Sequence, residues 1–357
     1  MNSSNPRPVK SRRCRRILFK VALLSIVGLV CFLILEVGVR VFAPQPASWL
    51  SIYRQHAKLP MAFQRDAHAA VDTGETQWEV WTDRLGHRCS RSPVVRTKPM
   101  AVWLGDSFAF GHGVDLETSW IGQLDALETG AFAHLNCGVP GYGPTHYEIV
   151  LDEALGEVEN VSAVFVATYL GNDFHDTVWP KDNVMRGGVV GDDGSWRSWM
   201  ARNLHCYRMF ARVMHSVMGR VTKQQSALVD LRTPAAWKVS PMKDAIRNYT
   251  DAMARIARTC DERSMPLVVV VIPTAAMVAA TREHGVATSE EAEDERGTLV
   301  RALNILAGLG LRVVDATPVL AEHDPADLYY RFDGHFTPQG HELVRDLLVR
   351  SVPELQK

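Results

Sequence analysis

Five short apolar runs recur along residues 98–352, and their spacing limits the possible folds more than any other feature of the sequence. Each run is rich in β-branched or aromatic residues and ends at Gly, Pro, Asn or Asp, as buried parallel strands do. Amphipathic segments of helical length lie between the runs. This alternation predicts an α/β domain with a parallel sheet and helices on both faces. The predicted strands are residues 100–104, 132–136, 163–169, 267–272 and 311–314, and the predicted helices are residues 118–128, 145–155, 242–262, 290–309 and 338–351.

The N-terminus joins a basic segment to a long apolar one. Seven basic residues and no acidic residue lie in the first twenty positions, and no charged residue lies between positions 21 and 35. This composition predicts one transmembrane helix at residues 17–42, with Lys20 and Glu36 near the two membrane interfaces. The basic end predicts a cytoplasmic N-terminus, with the chain after residue 43 outside the cytoplasm. A cleaved signal peptide is the alternative, which the charged Glu36 and Arg40 disfavour.

The remaining organisation follows from composition. The sequence predicts a basic tail at residues 1–16, a linker and extended preface at 43–97, and one domain at 98–352. An insertion at about residues 175–240 breaks the alternation and is a candidate cap or substrate-contacting region. The net charge of −1 gives the main body no electrostatic basis for binding nucleic acid. No two cysteines have C-x-x-C spacing, so no structural zinc is expected, and disulfides outside the cytoplasm stay open.

A serine follows the first predicted strand directly, in Gly105-Asp106-Ser107-Phe108. At the end of a strand and before a helix, its hydroxyl can lie beside backbone N–H donors, although capping a helix is the commoner use of such a serine. A glycine-rich loop with Gly138 and Gly141 follows the second strand, and Asn172 follows the third. The sequence Asp333-Gly334-His335 precedes the last helix. Because the carboxyl ends of parallel strands meet at one rim, these loops are expected to converge there.

Taken in this order, the Ser, Gly, Asn and Asp/His blocks resemble those of the SGNH (GDSL-type) hydrolase superfamily over about residues 98–350. The resemblance implies a three-layer flavodoxin-like fold with about five parallel strands, and acyl transfer without a cofactor or metal. It implies that Ser107 is the nucleophile and that His335, oriented by Asp333, is the base. It also implies that the oxyanion hole consists of the Ser107 and Gly141 backbone N–H groups and the Asn172 side-chain amide.

Two departures leave alternatives open. Many members of the superfamily place the acid three residues before the histidine, whereas Asp333 lies two before His335, a spacing that resembles the alginate O-acetyltransferase-like branch. Asp324, Asp327 or a backbone carbonyl could orient the histidine instead.

Gly138 is likewise an alternative to Gly141 as the oxyanion donor. The G-x-S-x-G elbow of α/β-hydrolases is absent, because Ala109 occupies the place of its second glycine. The other histidines, among them His112, are scattered over different elements and are interpreted as ordinary polar residues.

The sequence therefore predicts a membrane-anchored, extracytoplasmic serine esterase or O-acyltransferase. The expected substrates are ester groups, with acetyl expected, on a glycan or other cell-envelope molecule, and the expected partners are that glycan or lipid and the membrane. A lipase or thioesterase for longer acyl chains is one alternative. A non-catalytic glycan-binding protein of the same fold is another, which the presence of Ser107, Asn172 and His335 disfavours.

Overall fold

The computed structural model divides into two compact units, one of residues 1–47 and 196–223 and the other of residues 48–195 and 224–357. The residues that the structure describes are 10–43, 45, 50–73, 75–91, 97–176, 185–186, 189–190, 194–211, 214, 242–292, 295–331 and 333–356.

The strands, in chain order, are β1 Tyr53–Arg54, β2 Ala62–Phe63, β3 His68–Asp72, β4 Gln77–Thr82, β5 Arg88–Cys89, β6 Met100–Gly105, β7 Ala133–Asn136, β8 Val161–Tyr169, β9 Met185–Arg186, β10 Val189–Val190, β11 Leu267–Ile272 and β12 Arg312–Asp315. The α-helices are α1 Lys10–Phe42, α2 Ser107–Phe110, α3 Trp120–Asp125, α4 Pro144–Glu157, α5 Asp173–Asp176, α6 Trp196–Asn203, α7 Met242–Glu262, α8 Ala275–His284, α9 Glu295–Gly308, α10 Thr317–Leu320, α11 Pro325–Leu328 and α12 Pro338–Ser351. Residues 205–211 are also helical.

One mixed sheet forms the centre of the larger unit, with the strand order β12-β11-β8-β6-β7-β5-β4-β3. The strands from β12 to β7 are parallel, as the alternation predicts. The expected number of about five strands is too small for the whole sheet. The preface adds β5, β4 and β3 as antiparallel strands beyond β7. They form because the segment alternates apolar and polar residues, so that Trp78 and Val80 of β4 are buried while Gln77 and Glu79 are exposed.

Helices cover both faces of the sheet, and two apolar clusters fill the spaces between them. In β6, Val102 and Leu104 point into one cluster and Ala101 and Trp103 into the other, as expected for alternate residues of a strand. Helices α4 and α7 pack on the first face, and α3 and α12 on the second. The chain thus has the predicted arrangement of helices on both faces.

The smaller unit contains α1, α6 and the helical residues 205–211. Residues Arg15–Phe42 are long and apolar enough to cross a membrane, a property that a signal sequence would share. Most of the predicted insertion at 175–240 lies outside the described residues, including Trp179. Trp196 and Trp199, however, are described and exposed.

The cysteines that the structure describes form no disulfide with one another. These cysteines are Cys31, Cys89, Cys137, Cys206 and Cys260.

Candidate active site

A sharp turn between β6 and α2 presents Ser107. The Asp106 side chain caps α2 by accepting a hydrogen bond from the Phe108 N–H at 2.9 Å. The backbone at Gly105 has φ of 158°, and a Cβ there would lie 2.5 Å from that of Ala109, so only glycine fits. Ser107 itself is buried. The serine therefore sits at the end of a central strand and the start of a helix, as the sequence predicts.

Two hydrogen bonds connect Ser107, His335 and Asp333 in series. The Ser107 Oγ lies 2.7 Å from the His335 Nε2, and the Asp333 Oδ1 lies 2.5 Å from the His335 Nδ1. The His335 side chain keeps 21% exposure, so one side of the imidazole is open to solvent. Asp324, one of the alternative orienting acids, instead caps α11 through the Ala326 N–H. The short Asp-x-His spacing is thus compatible with direct contact between carboxylate and imidazole.

The second oxygen of Asp333 faces another histidine. The Oδ2 lies 3.5 Å from the His112 Nε2, and the rings of His112 and His335 are 4.5 Å apart between centroids. Burial alone would raise the pKa of Asp333, but the hydrogen bonds from His112 and His335 hold that pKa well below its ordinary value. Burial also lowers the pKa of His112. His112 is therefore part of the site rather than an unrelated polar residue.

The preface hairpin, residues 68–82, holds the loop that carries Asp333 and His335. Glu75 accepts hydrogen bonds from two backbone N–H groups, that of Arg331 at 2.6 Å and that of Asp333 at 3.1 Å. In the same place the Tyr330 hydroxyl lies 3.2 Å from the Thr76 Oγ1. The segment predicted to be a linker and preface thus contacts the backbone of Asp333 directly and holds the loop that also carries His335.

Arg88, a residue of β5, binds the end of α2 and the loop after it. Its guanidinium donates to the carbonyl oxygens of Phe110, of Gly111 at 2.8 Å and of Val114 at 2.6 Å, and lies 4.4 Å from the centroid of the Phe110 ring. Burial lowers the pKa of Arg88 to about 10, so the group stays charged at neutral pH. The three carbonyls belong to the end of α2 and the loop after it, so Arg88 fixes the helix that begins with Ser107.

The glycine-rich loop after β7 lies against this helix. The Gly138 N–H donates to the Asn136 Oδ1 at 3.0 Å, and a Cβ at Gly138 would lie 2.4 Å from the Phe110 N. Gly138 is therefore needed for close packing, and its N–H is already used. Gly141 has φ of 82°, in the left-handed region, and within the described residues its N–H donates to no other group. These contacts favour Gly141 over Gly138 as a donor to a ligand.

Asn172 follows β8 and lies beside the turn that presents the serine. Its side-chain Oδ1 is buried and accepts no hydrogen bond from the described residues. Burial raises the pKa of Asp106 to about 6, against the opposing effects of the Phe108 N–H, the charge of His335 and the Asn172 amide. The Asn172 amide therefore lies close enough to Asp106, the neighbour of Ser107, to influence its ionisation.

One group of side chains in the described residues has the geometry to share a metal ion. The ligand atoms of His112, Asp333 and His335 all lie within 4.8 Å of one another. The same atoms, however, make the hydrogen bonds described above. A metal held there would occupy the Nδ1 or Nε2 of His335 and would compete with its contact to Asp333 or Ser107.

A serine hydroxyl, an imidazole and a carboxylate linked in this order are the arrangement that activates a serine for acyl transfer. Here they lie at the carboxyl ends of parallel strands in an α/β sheet, where active sites of such folds are found. Fold and site together resemble those of enzymes that act on ester bonds through a serine.

Comparison with known proteins narrows this class. Residues 235–356, less than half of the chain, match the family model of the SGNH hydrolase-like domain of the acetyltransferase AlgX, and this stretch contains Asp333 and His335. This match supports an SGNH-type hydrolase superfamily member, and with it an ester-acting hydrolase or acyltransferase. No curated protein sequence matched the chain.

The chain is also similar to several solved structures, among them a member of the lipolytic protein G-D-S-L family from Veillonella parvula DSM 2008. It is 10% identical, the match covers 72% of this chain and 99% of that one, and the TM-score is 0.40. Another is Axe2, an acetylxylan esterase from Geobacillus stearothermophilus, which is 13% identical, with 72% of this chain and 96% of that one covered and a TM-score of 0.37.

Sequence reasoning missed three residues that touch the site: His112, Glu75 and Arg88. Each meets its partner through the fold rather than through nearby sequence, since 221 positions separate His112 from Asp333. The alternating pattern of residues 77–82 was the signal that could have placed the preface in the sheet, and with it Glu75 and Arg88 near the site.

Proposed function

We propose that the protein is a membrane-anchored, extracytoplasmic serine enzyme that removes or transfers small acyl groups, acetyl above all, on a glycan or other cell-envelope molecule. The observation that carries the proposal is the continuous hydrogen-bonded series from the Ser107 Oγ through His335 to Asp333. A serine hydroxyl is a weak nucleophile until a neighbouring base takes its proton, and this series supplies both the base and the group that orients it.

In the proposed reaction, the Ser107 Oγ attacks the ester carbonyl carbon while its proton moves to the His335 Nε2. The negative charge that develops on the carbonyl oxygen is stabilised by the N–H groups of Ser107 and Gly141 and the amide of Asn172, each worth roughly 3 kcal/mol in comparable sites. His335 then returns the proton to the departing alcohol, which leaves an acyl-serine. Water or a sugar hydroxyl then attacks this ester and gives its proton to His335; the bond from the acyl carbon to the Ser107 Oγ breaks, and His335 returns the proton to that oxygen.

The ionisation of Asp333 supports its proposed role as the acid of the triad. Its lowered pKa keeps the carboxylate charged over the whole neutral range, so it accepts the Nδ1–H of His335 and stabilises the imidazolium that forms. That contact leaves the His335 Nε2 directed at Ser107.

Two observations support a small acyl group. The matching family model describes an acetyltransferase domain, and the short Asp-x-His spacing resembles the alginate acetylation branch.

A structural contact supports retention of the N-terminal helix as an anchor. The Glu36 carboxylate, near the end of α1, accepts hydrogen bonds from the backbone N–H groups of His205 at 3.0 Å and Cys206 at 2.9 Å. Removal of a signal peptide would take this acceptor away and leave the two N–H groups without it. The basic residues before the helix favour a cytoplasmic N-terminus.

Labelling with a fluorophosphonate probe tests the proposed chemistry, because such probes react with activated serines. The full-length protein is expected to be labelled and to hydrolyse acetyl esters, with turnover falling as the acyl chain lengthens towards octanoyl. Ser107→Ala should abolish both labelling and turnover without lowering the melting temperature, since it removes one hydroxyl.

Other outcomes of the same experiment favour the alternatives. Absence of labelling in the folded wild-type protein would favour a non-catalytic binding protein, and a preference for octanoyl esters would favour a lipase or thioesterase. Substantial turnover by Ser107→Ala would disprove the assignment of the nucleophile.

A further inference from the structure

Exposed apolar side chains outside α1 are concentrated in one short segment. Of the five large hydrophobic residues exposed there among the described residues, Trp196, Trp199, Phe210 and Met214 lie within 19 positions, and only Val286 lies elsewhere. We call residues 196–214, of which 196–211 and 214 are described, the tryptophan segment. Trp196 is 67% exposed and Phe210 is 62% exposed. A cluster of this kind on a folded protein marks a surface that contacts something apolar.

Helix α6 presents its two tryptophans on one side. Trp196 and Trp199 are three positions apart in α6, a spacing that places both on one helical face, and Phe210 is exposed on the helical residues 205–211. No acidic residue occurs from position 194 to 214, whereas four arginines do. Helices with Trp and Phe on one face and an excess of arginine lie typically in the plane of a membrane interface, beside anionic headgroups.

Hydrogen bonds tie the tryptophan segment to the end of the apolar helix α1. Besides the two bonds that the backbone N–H groups of His205 and Cys206 donate to Glu36, the Arg40 Nη2 donates to the Asn203 carbonyl at 2.9 Å and to the Glu36 Oε1 at 3.0 Å. Glu36 is buried by these contacts. A carboxylate in a helix of this composition is costly to leave without partners, so the contacts stabilise the two parts as one unit.

The position of these contacts along α1 determines how deep in a bilayer the tryptophan segment would lie. Glu36 lies six residues before the last residue of α1, which corresponds to about 9 Å along the helix axis. If α1 spans the bilayer, the tryptophan segment is therefore attached near one end of this helix and not at its middle.

We propose that the tryptophan segment is a lipid-binding surface, seated in the headgroup region of the leaflet from which α1 emerges. Trp196, Trp199 and Phe210 would reach the boundary of the acyl chains, and the arginines would lie among the phosphates. The proposal rests on the proposed membrane anchor, and it adds that the protein contacts the bilayer through a second surface beside its transmembrane helix.

Depth measurement by electron paramagnetic resonance tests this surface in the full-length protein. Trp199 is replaced by p-acetylphenylalanine, coupled to a hydroxylamine spin label so that the native cysteines are untouched, in nanodiscs of equal parts phosphatidylcholine and phosphatidylglycerol. Labels at Val27, in the middle of α1, and at Glu283, exposed on α8, are the references for acyl chains and water. The label at 199 is expected to collide more with oxygen than with a water-soluble nickel chelate, at a depth between the two references.

The three sites separate failure of this inference from failure of the anchor. If the label at 199 is as accessible to nickel as that at 283 while 27 stays protected, the lipid surface is wrong and the anchor stands. If 27 is also accessible to nickel, both are wrong.

A variant tests the attachment itself. Glu36→Leu keeps α1 apolar but removes the acceptor for the His205 and Cys206 N–H groups, so the label at 199 should become more mobile and shift towards the water reference. Val37→Leu, at an exposed neighbouring position, is the matched control and should leave the depth unchanged. An unchanged depth in Glu36→Leu would show that these hydrogen bonds do not hold the segment at the interface.

Discussion

The His112 Nε2 faces the Oδ2 of Asp333 and the His335 Nδ1 contacts the Oδ1, so the carboxylate is held from two sides. We expect His112→Leu to lower kcat roughly tenfold with little change in KM, because one lost hydrogen bond to a charged group costs about 1.5 to 3 kcal/mol, of which only part reaches the transition state. His112→Gln can place an amide N–H where the Nε2 lies and should recover most of the rate. Steady-state kinetics of both variants, with melting temperatures, provides the measurement. Equal kcat values for the two variants would argue that His112 acts only by filling space.

Asp106 is a buried carboxyl whose ionisation opposes folding at neutral pH. Its folded-state pKa of about 6 lies above the ordinary value of 3.8, so the wild-type protein loses stability as pH rises from about 4 to about 6, by roughly 3 kcal/mol for two pKa units. Asp106→Asn cannot ionise and keeps an oxygen that can accept from the Phe108 N–H. Its melting temperature relative to wild type should therefore increase across this pH window and level off above it. Asp152→Asn, at an exposed position of α4, is the matched control for removal of a carboxylate.

Long helices are the elements that the sequence predicts best. Helix α7 occupies the predicted residues 242–262, because apolar positions recur on one face over six turns. Helix α9 begins at Glu295 rather than at the predicted 290, and α8, Ala275–His284, was not predicted. The sequence predicts a linker and extended preface at residues 43–97 but not their strands, although β4 alternates cleanly, because a strand at the end of a sheet is defined by a partner that local sequence does not reveal.

The same limits apply to the site. Ser107, His335 and Asp333 could be predicted because their motifs lie in fixed positions relative to strands and helices. The contacts of Glu75 and Arg88 could not, because they depend on how the preface strands pack beside β7.

The preface hairpin is predicted to support turnover by holding the loop that carries Asp333 and His335. Glu75→Ala removes the acceptor of the Arg331 and Asp333 N–H groups, so the loop with Asp333 and His335 should sample other positions and kcat should fall about five- to tenfold. Glu75→Gln retains one acceptor oxygen, so its kcat should lie between that of the wild-type protein and that of Glu75→Ala. Gln77→Ala, exposed on the same hairpin, is the matched control. Turnover of an acetyl ester measures the effect, and a wild-type kcat for Glu75→Ala would exclude the hairpin from positioning the loop.

At the scale of the whole molecule, the basic N-terminus and the apolar α1 determine the expected topology. A reporter fused after Lys357 should behave as extracytoplasmic, and the protein should remain in the membrane fraction after washing at high salt. A fusion that places the reporter after residue 9, before α1, is the internal comparison and should report the cytoplasm. Activity of the C-terminal reporter in the cytoplasm would reverse the orientation, and recovery of a shortened soluble protein would indicate cleavage.

The order of strands in the sheet limits where the N-terminus of the domain can be truncated. A shortened protein that begins at residue 98 keeps all the motif residues but loses β5, β4 and β3, which lie outside β7. Strand β7 would then become the border of the sheet, with its N–H and C=O groups open to pairing with other molecules. Such a protein is expected to aggregate, and any loss of activity in it would reflect poor solubility as much as altered chemistry. The preface is thus expected to shield the edge of β7 from pairing with other molecules.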